Sequence, residues 1–157
     1  MGKKSDRLRP EADREPRTQY AALPWRRRDG VLEVLLITSR ETRRWVIPKG
    51  WPMKDRDAAD AAAQEAFEEA GVVGRASHRS LGVYHYDKRL RSGRMQHVRV
   101  MVFALEVTEE RDIWPEMIER DRRWTSPADA AGLVDEPELK ILLAAFRPKA
   151  GGSGSPG

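Results

Sequence analysis

Residues 57–70 hold carboxylates and no basic side chain, although the whole chain has a formal net charge of +4. The acidic residues of this segment are Asp57, Asp60, Glu65, Glu68 and Glu69. Its many alanines predict an α-helix, which Asp57 can cap and Gly71 can terminate. At about 100° per residue the three glutamates share one face. The opposite, packing face is predicted to hold Ala59, Ala63, Phe67 and Ala70.

Two interpretations of this acidic face are open from the residues alone. Like charges one helical turn apart repel by roughly 0.2–0.5 kcal/mol per pair, so a divalent cation would relieve the repulsion. Mg²⁺ and Mn²⁺ both favour hard oxygen ligands that converge from one side. The alternative is a solvated acidic face with no ligand.

The spacing over residues 50–72 resembles the Nudix box, a motif of hydrolases that act on nucleoside-diphosphate-linked compounds. That motif runs Gly, five residues, Glu, seven residues, Arg-Glu, aliphatic, any residue, Glu-Glu, any residue, Gly, aliphatic. The matching positions are Gly50, Glu65, Ala66, Glu68, Glu69, Gly71 and Val72. Two positions depart from it, since Arg56 replaces the first Glu and Gln64 replaces the Arg. A contact of Arg56 with Gln64 or with a neighbouring Asp could replace the structural pair of the family.

The resemblance implies a pyrophosphohydrolase that uses Mg²⁺, or alternatively Mn²⁺, to hydrolyse a phosphoanhydride. Glu65, Glu68 and Glu69 would be the catalytic and metal-binding residues, and Gly50 would contribute to the metal site. The general base would be Glu65 or a carboxylate distant in sequence. Glu116 and Glu119 are candidates for that distant carboxylate, although the residues alone favour solvated loop acids as the interpretation of both.

Residues 18–147 also resemble one branch of the family, the diphosphoinositol polyphosphate phosphohydrolases, which additionally cleave dinucleoside polyphosphates. The matching stretches are residues 35–40, 44–50, 83–86 and 122–124, together with the basic run to Arg94 and Trp114. The branch implies that the following residues hold a highly phosphorylated small molecule: Arg26, Ser39, Arg40, Arg94, His97 and Arg123. Lys49 joins them because it lies on a basic segment that leads into the box, and several cations suit several phosphates.

Two other functions are compatible with the sequence. The Arg56 and Gln64 departures suit a non-catalytic sensor that binds a nucleotide, although the retained glutamates argue against it. The basic residues around the turn at residues 92–93 suit an RNA 5′-end pyrophosphohydrolase. Nucleic acid is therefore kept as an alternative partner, while a polyphosphorylated small molecule is the expected one.

Composition limits the remaining possibilities. The chain of 157 residues contains no cysteine, which excludes disulfides and thiol catalysis. No apolar run approaches the roughly 20 residues that span a bilayer, so we expect a cytoplasmic protein without a membrane partner. A monomer or a homodimer is expected. We predict a disordered charged tail at residues 1–17, one domain at residues 18–148 and a flexible Gly/Ser-rich tail at residues 149–157.

Hydrophobic patterning predicts strands at residues 20–25, 31–38, 45–48, 81–86, 97–107 and 122–125. Residues 26–30 are expected to form the turn of the first hairpin. Helices are predicted for the acidic segment, as a helical turn at residues 127–133, and at residues 138–146. This order predicts an α/β (α+β) fold, a Nudix-type α/β/α sandwich with a mixed sheet between helices.

Overall fold

The computed structural model describes residues 16–149 as eleven strands and helices. They are β1 (Arg17–Arg28), β2 (Val31–Thr38), β3 (Trp45–Val46), β4 (Lys49–Gly50), α1 (Ala58–Ala70), β5 (Val72–Ala76), β6 (Gly82–Arg89), β7 (Met95–Glu110), β8 (Arg122–Thr125), α2 (Pro127–Leu133) and α3 (Pro137–Ala144). The predicted tails lie almost entirely outside the described residues, although β1 already begins at Arg17. No helix within residues 16–149 is long and apolar enough to cross a bilayer.

The strands form one mixed sheet of eight strands around the long strands β1 and β7. These two run parallel, and Gln19 is opposite Val100 while Trp25 is opposite Glu106. On its other edge β7 pairs antiparallel first with β6 and then with β5. β2 pairs antiparallel with β1 and also with β8, and β4 pairs with the early part of β1. The predicted mixed sheet is therefore confirmed.

Both faces of this sheet are buried against helices. Leu35 and Ile37 pack on one face in a cluster with the alanines of α1. Leu36 points to the other face, where it joins Leu139 and Leu143 of α3. Alternate residues of a strand point to opposite faces, so a strand buried on both sides is apolar at nearly every position. The predicted α/β/α sandwich is thus confirmed.

The hairpin between β1 and β2 is tighter than the sequence suggested. Asp29 and Gly30 have φ angles of 53° and 80°, and they form the predicted Asp-Gly turn. Residues 26–28 were expected to belong to the turn, but they are the last residues of β1 and pair with β2. Pairing with the apolar start of β2 extends the strand through three arginines.

Helix α1 has the predicted ends but not the predicted packing face. Asp57 Oδ1 accepts a hydrogen bond from the Asp60 amide at 2.8 Å, and the Gly71 amide donates to the Phe67 carbonyl at 3.0 Å. Ala63 and Phe67 are only half-buried, whereas Glu69 is buried. The correction has a tertiary cause, because residues 114–120 cover the glutamate side of the helix. The residues of α1 that are buried are Ala59, Ala61, Ala62, Ala66, Glu69 and Ala70.

Strand β5 was not predicted. It follows α1 directly, and its pairing with β7 shifts register between Val73 and Gly74. A Cβ atom at Gly74 would lie 2.0 Å from the Glu106 carbonyl oxygen, so only glycine allows the two backbones to approach here. A five-residue strand with a glycine at its centre has too weak an alternation to be recognised from sequence.

The close contact between α1 and the sheet yields a stability prediction. Ala62 is fully buried, and replacing it with Leu should overpack the interface and destabilise the fold by about 1–3 kcal/mol. Ala63→Leu is the matched control, because this next residue of the helix is only half-buried and a larger side chain can extend towards solvent. Urea denaturation measures both changes. Equal losses of stability in the two variants would contradict this description of the interface.

Candidate active site

The box glutamates of α1 converge on the backbone of β4. A Cβ atom built at Gly50 would lie 2.1 Å from Oε2 of Glu65 and 2.7 Å from Oε1. Any side chain at position 50 would therefore displace the carboxylate. This close approach explains why glycine is needed here, and it brings a carboxylate and a backbone segment to one point.

Glu69 is the most deeply buried of the three glutamates, with 9% of its surface exposed. The Lys49 amide donates a hydrogen bond to its Oε1 at 3.3 Å, and the Arg120 guanidinium lies 3.5 Å from its Oε2. The Trp114 indole donates to the Glu69 carbonyl at 3.1 Å, which fixes the helix end. The Glu69 carboxylate is thus fixed from β4 and from the segment before β8.

Burial and mutual repulsion disturb the acidity of these carboxylates. Burial, followed by the charges of Glu69 and Glu68 and a hydrogen bond with Glu69, raises the pKa of Glu65 to about 8. Burial likewise raises the pKa of Glu69, although the nearby charges of Arg120 and Lys49 oppose the increase. Both shifts favour the protonated form of these carboxylates. Several carboxylates with raised pKa values in one cluster make this region a candidate functional site.

Two residues of the segment before β8 complete this cluster, and Arg120 was missed at the sequence level. Arg120 is buried, and its Nε donates a hydrogen bond to Glu116 Oε1 at 2.9 Å. Its Nη2 lies 2.8 Å from the same carboxylate oxygen. It also donates to the Thr38 carbonyl at 3.0 Å. Its four-residue spacing from Glu116 was the available signal, but Arg120 is surrounded in sequence by other charged residues.

The structure distinguishes the two candidates for the distant carboxylate. The Glu116 amide donates to the Glu68 carbonyl at 3.1 Å, and the charge of Glu116 contributes to the raised pKa values of Glu65 and Glu69. Glu119 is exposed and lies 3.8 Å from the Arg40 guanidinium. Glu116 therefore belongs to the carboxylate cluster, and Glu119 does not.

A polar pocket of about 420 Å³ opens beside Glu69. Ser39, Arg40 and Lys49, three of the predicted substrate-binding residues, line it. Its basic residues are Arg40, Arg44, Lys49, Lys88, Arg89 and Arg120. Cations from β4, from β6 and from the residues between β2 and β3 therefore surround one space next to the carboxylate cluster.

Lys49 lies between the pocket and the carboxylates. Burial lowers the pKa of its ammonium group, while the charges of Glu69 and Glu136 oppose that decrease. The ammonium lies 5.2 Å from the centre of the Tyr86 ring, and the Tyr86 hydroxyl donates to Gln19 at 2.8 Å. Neighbouring side chains thus position Lys49 at the pocket wall.

The other predicted substrate-binding residues are not part of the pocket wall. Arg26 pairs with Glu33 at 2.7 Å, pairs with Glu110 at 3.4 Å, and stacks on Trp124. Arg123 of β8 lies over the ring of Trp45, which belongs to β3. His97 pairs with Asp87, and Asp87 itself lines the pocket. Arg94 follows the turn between β6 and β7. The structure brings together Ser39, Arg40 and Lys49 but not Arg26 or Arg123.

The two departures from the box do not contact each other as guessed from the sequence. Gln64 Nε2 donates to Glu68 Oε2 at 2.8 Å, so it orients a box glutamate. Arg56 is exposed in the loop before α1. The neutral amide at position 64 therefore has a local role that does not require Arg56.

A separate carboxylate–imidazole cluster lies at the exposed start of α1. His78 Nε2 is 3.3 Å from Asp57 Oδ2 and 3.6 Å from Asp60 Oδ1. The three side chains have ligand atoms close enough for one cation, but all three are exposed, and the imidazole lies within contact distance of both carboxylates. This cluster was not expected, because His78 has no ligand spacing in sequence.

The fold and the carboxylate cluster together define the class of the domain, and comparison with known proteins agrees. A family model described as NUDIX domain matches residues 16–146. The chain therefore belongs to the Nudix family. It is 38% identical to Nudix hydrolase 13, mitochondrial, of Arabidopsis thaliana over 120 residues, which cover 73% of this chain and 59% of that protein.

Two further relatives extend the comparison. Diphosphoinositol polyphosphate phosphohydrolase 2 of Rattus norvegicus is 35% identical over 121 residues, which cover 75% of this chain and 63% of that protein. The crystal structure of C. elegans Ap4A hydrolase superposes with a TM-score of 0.58 at 20% identity, and covers 82% of this chain and 94% of that one. The chain spans about three fifths of the two curated relatives, and the solved structure shows a shared fold.

The raised pKa of Glu65 predicts how stability depends on pH in the absence of metal. An unfolded glutamate loses its proton near pH 4.5, whereas folded Glu65 retains it to about pH 8. Folding therefore takes up a proton between these values, and stability should fall as pH rises through this window. We expect the Tm measured in EDTA to decrease by several degrees from pH 5.5 to pH 8.5.

Glu65→Gln is the control, because glutamine cannot take up this proton. Its Tm should depend less steeply on pH than that of the parent, while every distant group titrates equally in both proteins. Parallel Tm curves for parent and variant would contradict the assignment of the raised pKa to this site.

Proposed function

We propose that this protein hydrolyses a phosphoanhydride bond in a polyphosphorylated small molecule, with Mg²⁺ as the cofactor and Mn²⁺ as an alternative. The observation that carries the proposal is the position of the buried Glu69 of α1, with the other box glutamates on the same helix, beside a 420 Å³ pocket with six basic residues. Carboxylates alone would repel a phosphate, and cations alone would only bind it. Their juxtaposition suits a reaction on phosphate.

The lining of the pocket favours a substrate that is rich in phosphate. Arginine guanidinium groups bind phosphate oxygens in a forked geometry, and Arg40, Arg44 and Arg89 line the walls. The apolar side chains at the wall are few, with Val46 and Met95 beside the half-buried ring of Tyr86. We propose a diphosphoinositol polyphosphate or a dinucleoside polyphosphate, in line with the names of the rat relative and of the C. elegans structure.

The carboxylate cluster fits a divalent cation. Glu65 and Glu69 supply hard oxygen donors whose pKa values are raised by burial and by neighbouring carboxylates, and a Cβ at position 50 would fill the space beside Glu65. Glu65, Glu68 and Glu69 would hold the ion, next to the backbone of Gly50. A bound Mg²⁺ supplies Lewis-acid chemistry, which neutralises phosphate charge and makes a water molecule more acidic.

The side chains of this protein have separate roles in the proposed reaction. Lys49 and Arg40 hold phosphate groups at the pocket wall. Arg120 fixes the carboxylate of Glu116 near the box glutamates. Glu65 or Glu116 accepts the proton of the attacking water, since both carboxylates belong to the cluster.

Glu69→Gln tests the catalytic assignment. The amide preserves shape but loses the charge and a good oxygen ligand, so kcat/KM should fall at least about 100-fold, which is about 2.7 kcal/mol of transition-state stabilisation. Stability should be maintained, because the substitution also removes repulsion with Glu65. Glu109→Gln is the control, since Glu109 is an exposed glutamate paired with Arg111. A folded Glu69→Gln protein with the parent rate across a Mg²⁺ titration would refute the proposal.

A phosphate-release screen tests the substrate class. The panel holds diphosphoinositol polyphosphates, dinucleoside polyphosphates, nucleotide sugars and 5′-triphosphorylated RNA, each with and without Mg²⁺. We expect the first two classes to be preferred, and Arg40→Ala to raise their KM by about fivefold to tenfold with little effect on kcat. Arg56→Ala, an exposed arginine outside the pocket, is the matched control. Preference for a nucleotide sugar or for RNA would contradict the proposed class.

A further inference from the structure

A second cavity, distant from the carboxylate cluster, has a volume of about 700 Å³. It lies between α3, β5 and β7, and the residues between β5 and β6 form part of its wall. Trp25 and Phe146 form its buried floor, where their rings make an edge-to-face contact with centroids 6.2 Å apart. Leu81 and Leu142 extend the apolar surface. Cavities of this size with an apolar lining are typical of small-molecule sites.

The rim of this cavity is basic. Arg75, Arg79, Arg147 and Lys149 line it, against one carboxylate, that of Glu106. That carboxylate pairs with Arg75 at 3.3 Å. The Arg147 guanidinium is engaged with the Ala144 and Phe146 carbonyls at the end of α3.

Two rim cations are available to a ligand. Within residues 16–149, the exposed side chains of Arg79 and Lys149 pair with no carboxylate. A molecule lying on the floor of Trp25 and Phe146 would therefore meet unneutralised positive charge at the edge. The lining thus combines an apolar surface, which can bury the body of a ligand, with a basic rim, which can bind its acidic group.

This cavity is separate from the polar pocket. Gln19 lines the polar pocket and Trp25 lines this cavity, and both belong to β1. Six residues of extended strand separate them by about 20 Å. The two spaces share no lining residue, and their chemistry differs, since an apolar floor suits a hydrocarbon or aromatic body and not a phosphate-covered ring.

We propose that this cavity binds a small amphipathic anion, an aromatic or aliphatic body that ends in one acidic group. The floor would bury the body, while Arg79 and Lys149 would pair with the acidic group. The chain's own residues 150–157 follow Lys149 directly, but Gly, Ser and Pro offer no large apolar side chain for the floor. An external ligand therefore matches the lining better. The proposal is independent of the proposed hydrolytic activity.

A pair of fluorescent probes tests this proposal on the full chain. 8-Anilinonaphthalene-1-sulfonate has two aromatic groups and one anion, and N-phenyl-1-naphthylamine has the same rings without the charge. We expect saturable binding of the sulfonate, which Arg79→Glu weakens about fivefold while the affinity of the neutral probe changes less than about twofold. Ala145→Trp, which adds a ring at the cavity wall, should weaken both probes. Near-UV circular dichroism confirms that each variant is folded.

Two charge reversals elsewhere are the controls. Arg99→Glu alters an exposed arginine of the same sheet, and Arg40→Glu alters the polar pocket; both should leave sulfonate binding unchanged. The proposal is wrong if Arg79→Glu weakens both probes equally, or if Arg40→Glu is the change that removes binding. It is also wrong if deletion of residues 150–157 strengthens sulfonate binding more than about fivefold, because the tail would then be the occupant.

Discussion

The candidate site depends on holding like charges together in a partly buried space. Glu65 lies against the backbone of Gly50, Glu69 is buried beside it, and burial raises the pKa values of both carboxylates. Such an arrangement is unfavourable by itself, and the surrounding structure offsets it. Arg120 and Lys49 supply positive charge, and the backbone amide of Lys49 supplies a hydrogen bond. A divalent cation would further reduce the repulsion between the carboxylates, which is why the geometry suits metal-assisted chemistry on phosphate.

The segment that leads into β8 organises the chemistry of this site. The Trp114 indole fixes the end of α1 through the Glu69 carbonyl, and Arg120 connects Glu116 to the Thr38 carbonyl. These contacts place a fourth carboxylate near the box although it is distant in sequence. The same segment buries the glutamate side of α1, so the box glutamates and packing contacts share one helix face.

The polar pocket and the cavity beside α3 differ in their chemistry. The polar pocket gathers basic side chains next to the carboxylates, and it suits a phosphate-rich molecule. The larger of these two cavities, beside α3, combines the apolar floor of Trp25 and Phe146 with a rim on which Arg79 and Lys149 pair with no carboxylate of residues 16–149. Because β1 is long and extended, it contributes Gln19 to one space and Trp25 to the other, and these two residues lie about 20 Å apart along the strand.

Local signals in the sequence determined the helix that bears the glutamates, its caps at Asp57 and Gly71, most strands and the α/β/α layering. These features follow from short-range spacing and from periodicity. Only the tertiary structure decided three other features. It placed Arg120 beside Glu116, and it brought Glu116 but not Glu119 to the carboxylate cluster. It also paired Arg26 with Glu33 and Glu110. Arginines look alike in sequence, and each can pair, stack or face a pocket. Long-range burial and the carboxylates that happen to lie nearby decide which of these occurs, because electrostatic interactions depend on distance and solvent exposure.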